Sequence, residues 1–132
     1  MIRQPIRLLA AALLAGLIST GAAVAATEAA YTPAAFTAAQ QQGKPILVHV
    51  TASWCPVCAK QRPILAKLSA EPAFRHLQVF DVDFDTQKEL LRTMGVQKQS
   101  TFIVYHGGAE RDRSTGETNE AAIRALLAKS NG

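Results

Sequence analysis

The fold of this chain is decided by the stretch Ile46-Leu47-Val48-His49-Val50-Thr51, followed by Ala52-Ser53-Trp54 and then by Cys55-Pro56-Val57-Cys58. The first run is rich in apolar and β-branched side chains, which is typical of a central strand buried on both faces. From Pro56 to Ala70 the apolar residues recur at helical spacing. The sequence therefore predicts a buried strand, a short loop and a helix, with both cysteines at the start of that helix.

A Cys-x-x-Cys pair has three common explanations. Half of a zinc site needs further ligands, and only His49, His76 and His106 could supply them, none at zinc-finger spacing from the pair. Haem attachment needs a histidine after the second cysteine, where this chain has Ala59. Placement between a β-rich run and a helix favours the third explanation, a redox-active dithiol, over these two and over a buried structural pair.

The two cysteines are expected to play different parts. Cys55 falls at the N-terminus of the helix, where unpaired backbone N–H groups and the helix dipole stabilise a thiolate. Pro56 suits the first helical position, where its missing N–H is not needed. Cys58 lies one turn further on and can attack a mixed disulfide formed at Cys55. The residues therefore indicate Cys55 as the nucleophile and Cys58 as the resolving thiol.

Working outward, the pattern predicts helices and strands that alternate along the chain, which implies an α/β fold. A flexible lead-in over residues 25–31 is expected before the first helix. The predicted elements are a helix from Thr32-Pro33 to about Gln42, the strand at 46–51, the helix at 56–70 kinked at Pro63, a strand at 77–85, a helix from Asp85 or Thr86 to Met94 ended by Gly95, strands at 101–105 and 109–114, and a final helix capped by Thr118 or Asn119.

The stretch from residue 77 to residue 85 alternates strictly between apolar and acidic side chains. Two interpretations are open for its acidic face: a metal site, or the solvated face of an edge strand that is protected from pairing with another chain. We favour the edge strand. The apolar face consists of Phe80, Val82 and Phe84, and the acidic face of Asp81, Asp83 and Asp85.

Composition sets limits on the class of protein. The chain has 132 residues, of which 48% are apolar and 18% are charged. That length fits one domain with a core that needs no disulfide framework. Modest charge and ordinary apolar content exclude disorder as a description of the whole chain.

Residues 1–26 have the pattern of a secretory signal peptide. Arg3 and Arg7 form a positive n-region, an apolar run follows from Leu8 to Ile18, and Ala23-Val24-Ala25 supplies a small-x-small cleavage pattern. An uncleaved anchor is the alternative, but the run is short for a membrane span. We expect cleavage after Ala25 or Ala26, a mature domain over residues 27–132, and a periplasmic location.

Loss of this leader changes the charge argument. The net charge of +4 includes Arg3 and Arg7, so it falls to +2 in the mature chain. Such a small excess gives no support for nucleic-acid binding. In an oxidising compartment outside the cytoplasm, cysteine pairs form disulfides, which favours a redox centre as the interpretation of this single cysteine pair.

The chain resembles the thioredoxin superfamily in the Trp54–Cys58 motif and in the strand before it, which begins after Gly43. Further similarity continues through Pro63, Val79 to Asp85, Gly95-Val96, Thr101-Phe102, Gly107-Gly108 and Gly116. The resemblance implies a thioredoxin-like fold, a central mixed sheet of about four strands flanked by helices, and thiol–disulfide exchange. In that interpretation Cys55 attacks, Cys58 resolves, and no cofactor or metal is needed beyond this redox-active pair.

Three positions depart from the family pattern. Ser100 stands where many members carry a cis-proline, which implies a different backbone facing Cys55. His49 replaces a buried aspartate, and either shuttles a proton to or from Cys58 or is a satisfied core histidine. Val57 in the Pro56-Val57 dipeptide offers no positive charge to hold a thiolate, which favours a reducing dithiol. Trp54, Ser100 and Thr101 are expected to line the substrate groove.

The leading hypothesis is thus an exported, monomeric thiol–disulfide oxidoreductase that reduces disulfides in extracytoplasmic proteins. The resemblance suggests a membrane thiol-electron transporter as its electron donor. An oxidase or isomerase of the same chemistry is the first alternative. A copper-binding or copper-delivery module that uses Cys55 and Cys58 is the second, and a redox-inactive binding module is the third.

Overall fold

Strands and helices alternate along the part of the chain that the computed structural model describes, which is Gly21 and residues 25–132. The predicted leader falls almost wholly outside these residues. The strands are β1 (Thr27–Ala30), β2 (Pro45–Thr51), β3 (Gln78–Asp83), β4 (Thr101–His106) and β5 (Ala109–Thr115). The α-helices are α1 (Pro33–Gln41), α2 (Pro56–Ser69), α3 (Lys88–Met94) and α4 (Glu120–Ala128), and short 3-10 helices cover Pro72–Phe74 and Lys129–Asn131.

One mixed sheet of five strands, in the order β1-β3-β2-β4-β5, forms the centre of the fold. β1, β3 and β2 run parallel, whereas β4 and β5 are antiparallel to their neighbours. This confirms the predicted α/β class with a mixed sheet, but the expected number of about four strands was one too few. The additional strand is β1, which forms where a flexible lead-in was predicted. β1 pairs with β3, which lies about fifty residues later in the chain. In addition, the Thr27 N–H donates to the carbonyl of Leu77, the residue before β3, at 3.0 Å.

The prediction that the acidic strand lies at an edge was wrong. β3 pairs with β1 on one side and with β2 on the other. Asp81 is accordingly half-buried rather than solvated, and Val79 is buried on the same side of the strand. Strict alternation indicates faces of different polarity, but it does not report how many neighbours a strand has.

Two hydrophobic clusters hold the helices to opposite faces of the sheet. α1 and α3 cover one face and α2 and α4 cover the other, as expected for an α/β fold in which parallel strands are buried on both sides. The first cluster includes Phe36, Val48, Phe80, Leu91 and Ile103, and the second includes Leu47, Leu68, Val79, Phe102, Ile123 and Leu127. None of the helices in the described part of the chain is long and apolar enough to cross a membrane.

Helix boundaries follow local capping chemistry. The Thr32 hydroxyl accepts the N–H of Ala35 at 3.2 Å and caps α1 as predicted, and Gly95, at a left-handed φ of 66°, ends α3. α3 begins later than expected because the Asp83 carboxylate accepts the N–H groups of Asp85 and Thr86, which closes a turn before the helix. α2 remains a single helical element through Pro63.

Candidate active site

The two cysteines form a disulfide at the junction of β2 and α2, with their Cα atoms 5.3 Å apart. Cys55 is the N-cap of α2, and its Sγ accepts the backbone N–H of Cys58 at 3.1 Å. A bond from the Cys55 N–H to the carbonyl of Ala52, 3.2 Å long, shapes the loop between strand and helix. Pro56 occupies the first helical position and therefore leaves no N–H unpaired there.

This arrangement makes the sulfur of Cys55 the place where negative charge is best tolerated. Sγ already receives a backbone N–H and lies at the positive end of the helix dipole, and both features stabilise a thiolate once the pair is reduced. Cys58 lies inside the first turn, with its own backbone N–H directed at its partner. The two sulfurs therefore have different surroundings, and the assignment of Cys55 as the attacking and Cys58 as the resolving thiol stays a prediction.

Apolar side chains surround the disulfide. Ala52, Val57 and Phe84 pack against it, and the two cysteines are themselves almost completely buried. Lys88 lies outside this layer, with its Nζ 3.9 Å from the centre of the Phe84 ring.

Trp54, next to the disulfide, is 56% exposed. Its indole N–H donates to the Asp85 carboxylate at 2.8 Å. This bond holds the exposed ring next to Cys55 in the chain, and the groove position of Trp54 stays a prediction.

His49 lies on β2, two residues before the strand ends at Thr51, and is only 2% exposed. Its Nε2 is 3.1 Å from Oε1 of Gln61, and its Nδ1 is 3.4 Å from the carboxylate of Asp81. The ring also packs on Phe102, with 4.9 Å between ring centres. Because both ring nitrogens already have partners, this geometry favours a satisfied core histidine over direct proton transfer to Cys58.

A second carboxyl group, Glu28 on β1, joins this cluster. Burial by itself raises the pKa of Asp81, but hydrogen bonds from His49 and Glu28 outweigh it and leave that pKa below its ordinary value. The hydrogen bond with Asp81, together with burial, raises the pKa of Glu28. The sequence analysis missed Glu28 as a site residue, since β1 itself was not predicted.

Gln61 is the other residue that the sequence analysis missed. It is fully buried on α2, and its amide donates to the carbonyls of Ser100 and Glu117 at 3.1 and 3.0 Å. A signal was present in the sequence, because Gln61 follows Cys58 by three residues and precedes Leu65 by four, which places a polar side chain on the buried face of the helix.

Ser100 and Thr101 precede and begin β4, at the same end of the sheet as the disulfide loop. Ser100 has φ +58° and its hydroxyl donates to the Gln99 carbonyl. The Thr101 hydroxyl donates to the Lys98 carbonyl at 2.8 Å and lies 2.9 Å from that of Thr115. Both residues are buried. Any contribution of theirs to a substrate groove must therefore come from the backbone rather than from free hydroxyl groups.

The three aspartates of the acidic strand have separate structural partners. Asp81 faces His49, Asp83 caps the turn before α3, and Asp85 accepts the indole N–H of Trp54. Within residues 25–132, no group of three or more histidine, cysteine or acidic side chains is arranged to hold a metal ion. The cysteine pair therefore has no third metal ligand beside it in the described part of the chain.

Comparison with known proteins gives consistent results. The family model described as Thioredoxin matches residues 27–129. A thioredoxin H-type protein of Brassica campestris is 34% identical over 68% of this chain and 72% of its own length. A putative thioredoxin-5 of Dictyostelium discoideum is 32% identical over 63% of this chain and 78% of its own length. The crystal structure of Trxlp from Edwardsiella tarda EIB202 superposes with a TM-score of 0.75 at 50% identity, and covers 76% of this chain and 98% of that one.

Proposed function

This chain belongs to the thioredoxin family and is a thiol–disulfide oxidoreductase, and from that premise we propose that it acts outside the cytoplasm and mainly as a reductant. The observation that carries the proposed direction is the apolar surround of the disulfide. Ala52, Val57 and Phe84 supply no cation to stabilise a thiolate at Cys55. A dithiol whose reduced form is less stabilised gives up its electrons more readily.

The proposed reaction has two exchange steps. The Cys55 thiolate attacks one sulfur of a substrate disulfide, which forms a mixed disulfide and releases the other substrate sulfur as a thiolate. Cys58, deprotonated in its turn, attacks Sγ of Cys55, which forms the Cys55–Cys58 disulfide and releases the second substrate thiol. Two electrons thereby pass from the enzyme to the substrate, and the backbone N–H of Cys58 steadies the charge on Cys55 before the attack.

The reduction potential of the cysteine pair tests the direction. We expect a value of about −270 mV, as for reducing dithiols. The protein is equilibrated with glutathione or dithiothreitol buffers, and its free thiols are then alkylated and counted by mass spectrometry. A value near about −120 mV would identify an oxidant instead. Cys55→Ser provides the control, since it cannot form the disulfide.

Single-cysteine variants test the assigned roles. In an insulin-reduction assay we expect Cys55→Ser to lose activity completely, whereas Cys58→Ser still attacks once and remains joined to its substrate because nothing resolves the mixed disulfide. Mass spectrometry of the reaction detects this adduct. Insulin reduction by Cys55→Ser at the wild-type rate would exclude Cys55 as the attacking thiol.

Export is supported by the pattern of residues 1–26, and the domain that follows begins close to the expected cleavage point, with β1 starting at Thr27. Fractionation of a Gram-negative host that expresses the full chain should recover a periplasmic protein whose mass matches a chain beginning at Ala26 or Thr27. Leu13→Arg, which interrupts the apolar run, should leave an uncleaved protein in the cytoplasm. Full-length wild-type protein in the cytoplasm would contradict the proposal.

The proposed partners are extracytoplasmic proteins with disulfides and a membrane thiol-electron transporter that supplies electrons. Cys58→Ser, expressed in the native host, should capture substrates as mixed disulfides that reducing agents release. The matched variant Cys55→Ser/Cys58→Ser should capture none. Recovery of the same proteins with both variants would show that capture does not depend on the redox site.

A further inference from the structure

Among the residues that the structure describes, Gln61 on α2 forms more side-chain hydrogen bonds than any other buried polar residue. It is 0% exposed and bonds to His49 on β2, to the Ser100 carbonyl before β4, and to the Glu117 carbonyl before α4. It also lies on the same buried face of α2 as Cys58, one turn further along. One side chain therefore joins the helix of the redox site to three other segments of the chain.

The two carbonyl partners fix the orientation of the Gln61 amide. Both carbonyls can only accept, so the NH2 group must face them and the amide oxygen must face His49. The oxygen can only accept as well, so Nε2 of His49 must carry a hydrogen. The tautomer of the histidine thus follows from the positions of two backbone carbonyls.

On the opposite side of the ring, Nδ1 faces the Asp81 carboxylate at 3.4 Å. Glu28 from β1 lies beside Asp81, and Arg62 from α2 acts on the same carboxylate by charge. All four groups lie around one cavity of about 240 Å³. The Asp81 side chain is 31% exposed, so its carboxylate is in contact with solvent.

We propose that Gln61 is a positioning residue of the redox site, which holds His49 with a hydrogen on Nε2 and its Nδ1 directed at Asp81, and which ties the Ser100 segment to the helix that carries Cys58. The Ser100 carbonyl accepts from Gly116 as well as from Gln61, so this segment is held from two sides. This role of Gln61 rests on the proposed function only in so far as the protein catalyses thiol–disulfide exchange. It holds whether the protein reduces or oxidises its substrates.

The wild-type protein provides the first test, which requires no substitution. Two-bond ¹H–¹⁵N correlation spectra distinguish protonated from unprotonated ring nitrogens. We expect Nε2 of His49 to carry a hydrogen in the folded wild-type protein. A ring that carries its only hydrogen on Nδ1 would overturn the proposal.

Substitution provides the second test. Gln61→Met and Gln61→Leu remove the acceptor for Nε2 and the two donors while they keep much of the side-chain volume. Without the Gln61 oxygen, a hydrogen on Nε2 has no acceptor, whereas one on Nδ1 faces the Asp81 carboxylate. We therefore expect the ring hydrogen to move from Nε2 to Nδ1, which the same two-bond ¹H–¹⁵N spectra detect.

Lys67→Met is the matched control on the same helix, because Lys67 is exposed and, among residues 25–132, forms its ion pair with Glu120 at the surface. It should leave the His49 spectrum unchanged. If folded Gln61→Met and Gln61→Leu proteins also keep the hydrogen on Nε2, Gln61 is only a packing residue and the proposal is wrong. A reduction potential that showed an oxidant would overturn the proposed direction of the enzyme but not the role of Gln61.

Discussion

At Ser100 the backbone enters the left-handed region, with φ +58°, where a side chain costs energy that glycine does not. Two N–H donors hold its carbonyl, from Gln61 and from Gly116. These bonds fix the peptide that leads into β4, which lies at the same end of the sheet as the disulfide. The strain is therefore local, and the surrounding hydrogen bonds offset it.

The conformation of Ser100 makes proline, the residue that many family members carry here, a poor substitute in this chain. Because proline requires a φ near −65°, we expect Ser100→Pro to lower the free energy of unfolding by about 2 kcal/mol or more. Ser100→Gly fits the observed φ and should change it by less than about 1 kcal/mol. Urea titration of the oxidised proteins gives both values, and equal stability of the proline variant and the wild type would contradict the prediction.

Among the elements, α4 shows how one cap holds a helix on the core. The Asn119 side chain accepts the N–H of Ala122 at 3.0 Å, and the helix then buries Ile123, Leu126 and Leu127 against the sheet. The sequence analysis predicted this helix, with Asn119 as one of two possible caps. Capping and helical spacing are local properties, so they can be read without knowledge of the tertiary structure.

The cap should contribute measurably to stability. We expect Asn119→Ala to lower the free energy of unfolding by about 1 kcal/mol, since an N–H at the start of α4 loses its acceptor. For a domain of this size, the melting temperature should fall by about 4–8 °C. Thr118→Ala, one residue earlier, is the control, and a similar loss in that variant would show that Asn119 is not the cap.

The strands differ in how well they could be predicted from the sequence. β2 and β4 were predicted nearly to the residue because their apolar runs are long and continuous. β1, by contrast, is a short polar and alanine segment whose four residues are all exposed. It becomes a strand only because β3 offers it a hydrogen-bonding edge, and the same event makes β3 an interior strand.

At the scale of the whole molecule, ion pairs connect elements that are distant in the chain. Arg124 on α4 bonds to Glu71 before the short helix at Pro72–Phe74, and it pairs with Glu120 within its own helix. Hydrogen bonds from Arg124 lower the pKa of Glu71, and those from Lys67 and Arg124 lower the pKa of Glu120. These carboxyl groups are about one third exposed, so solvent screens each pair and each contributes little.

The lowered pKa values give the pH dependence a definite sign. An acid whose pKa is lower in the folded protein adds stability above its unfolded pKa, near about 4.3, and loses it as the pH falls through the folded value. We therefore expect Arg124→Gln to lower the melting temperature slightly at neutral pH, with the difference from wild type shrinking as the protein is acidified. Calorimetry over a pH series measures this.

Arg111→Gln on β5 is the control, because Arg111 forms no ion pair within the described residues. It should follow the wild-type curve at every pH. A difference between Arg124→Gln and wild type that stays constant down to strong acid would show that the arginine acts through packing rather than through its carboxylate partners.

The residues of the site, like the elements of the fold, fall into those that could be predicted from local sequence and those that depend on tertiary structure. Cys55, Cys58 and Trp54 stand together in the chain, so their proximity could be predicted. His49, Gln61, Asp81 and Glu28 come from β2, α2, β3 and β1, and their contacts exist only after the sheet has formed. Of these four, the sequence analysis named His49 for the redox site and Asp81 only for the acidic strand, and it could not show that Gln61 and Asp81 contact the two nitrogens of the His49 ring.

The direction of β2 separates the two ends of the domain. Its last residue, Thr51, leads into the cysteine loop, whereas its first residue, Pro45, lies at the end of the sheet where β1 begins. Ser130, near the end of the chain, bonds to His106 at that same distant end. A strand of this length spans about 20 Å. An affinity tag, a fluorescent protein or a surface linker can therefore be attached directly before Thr27 or after Gly132 and leave the disulfide at the opposite end of the sheet.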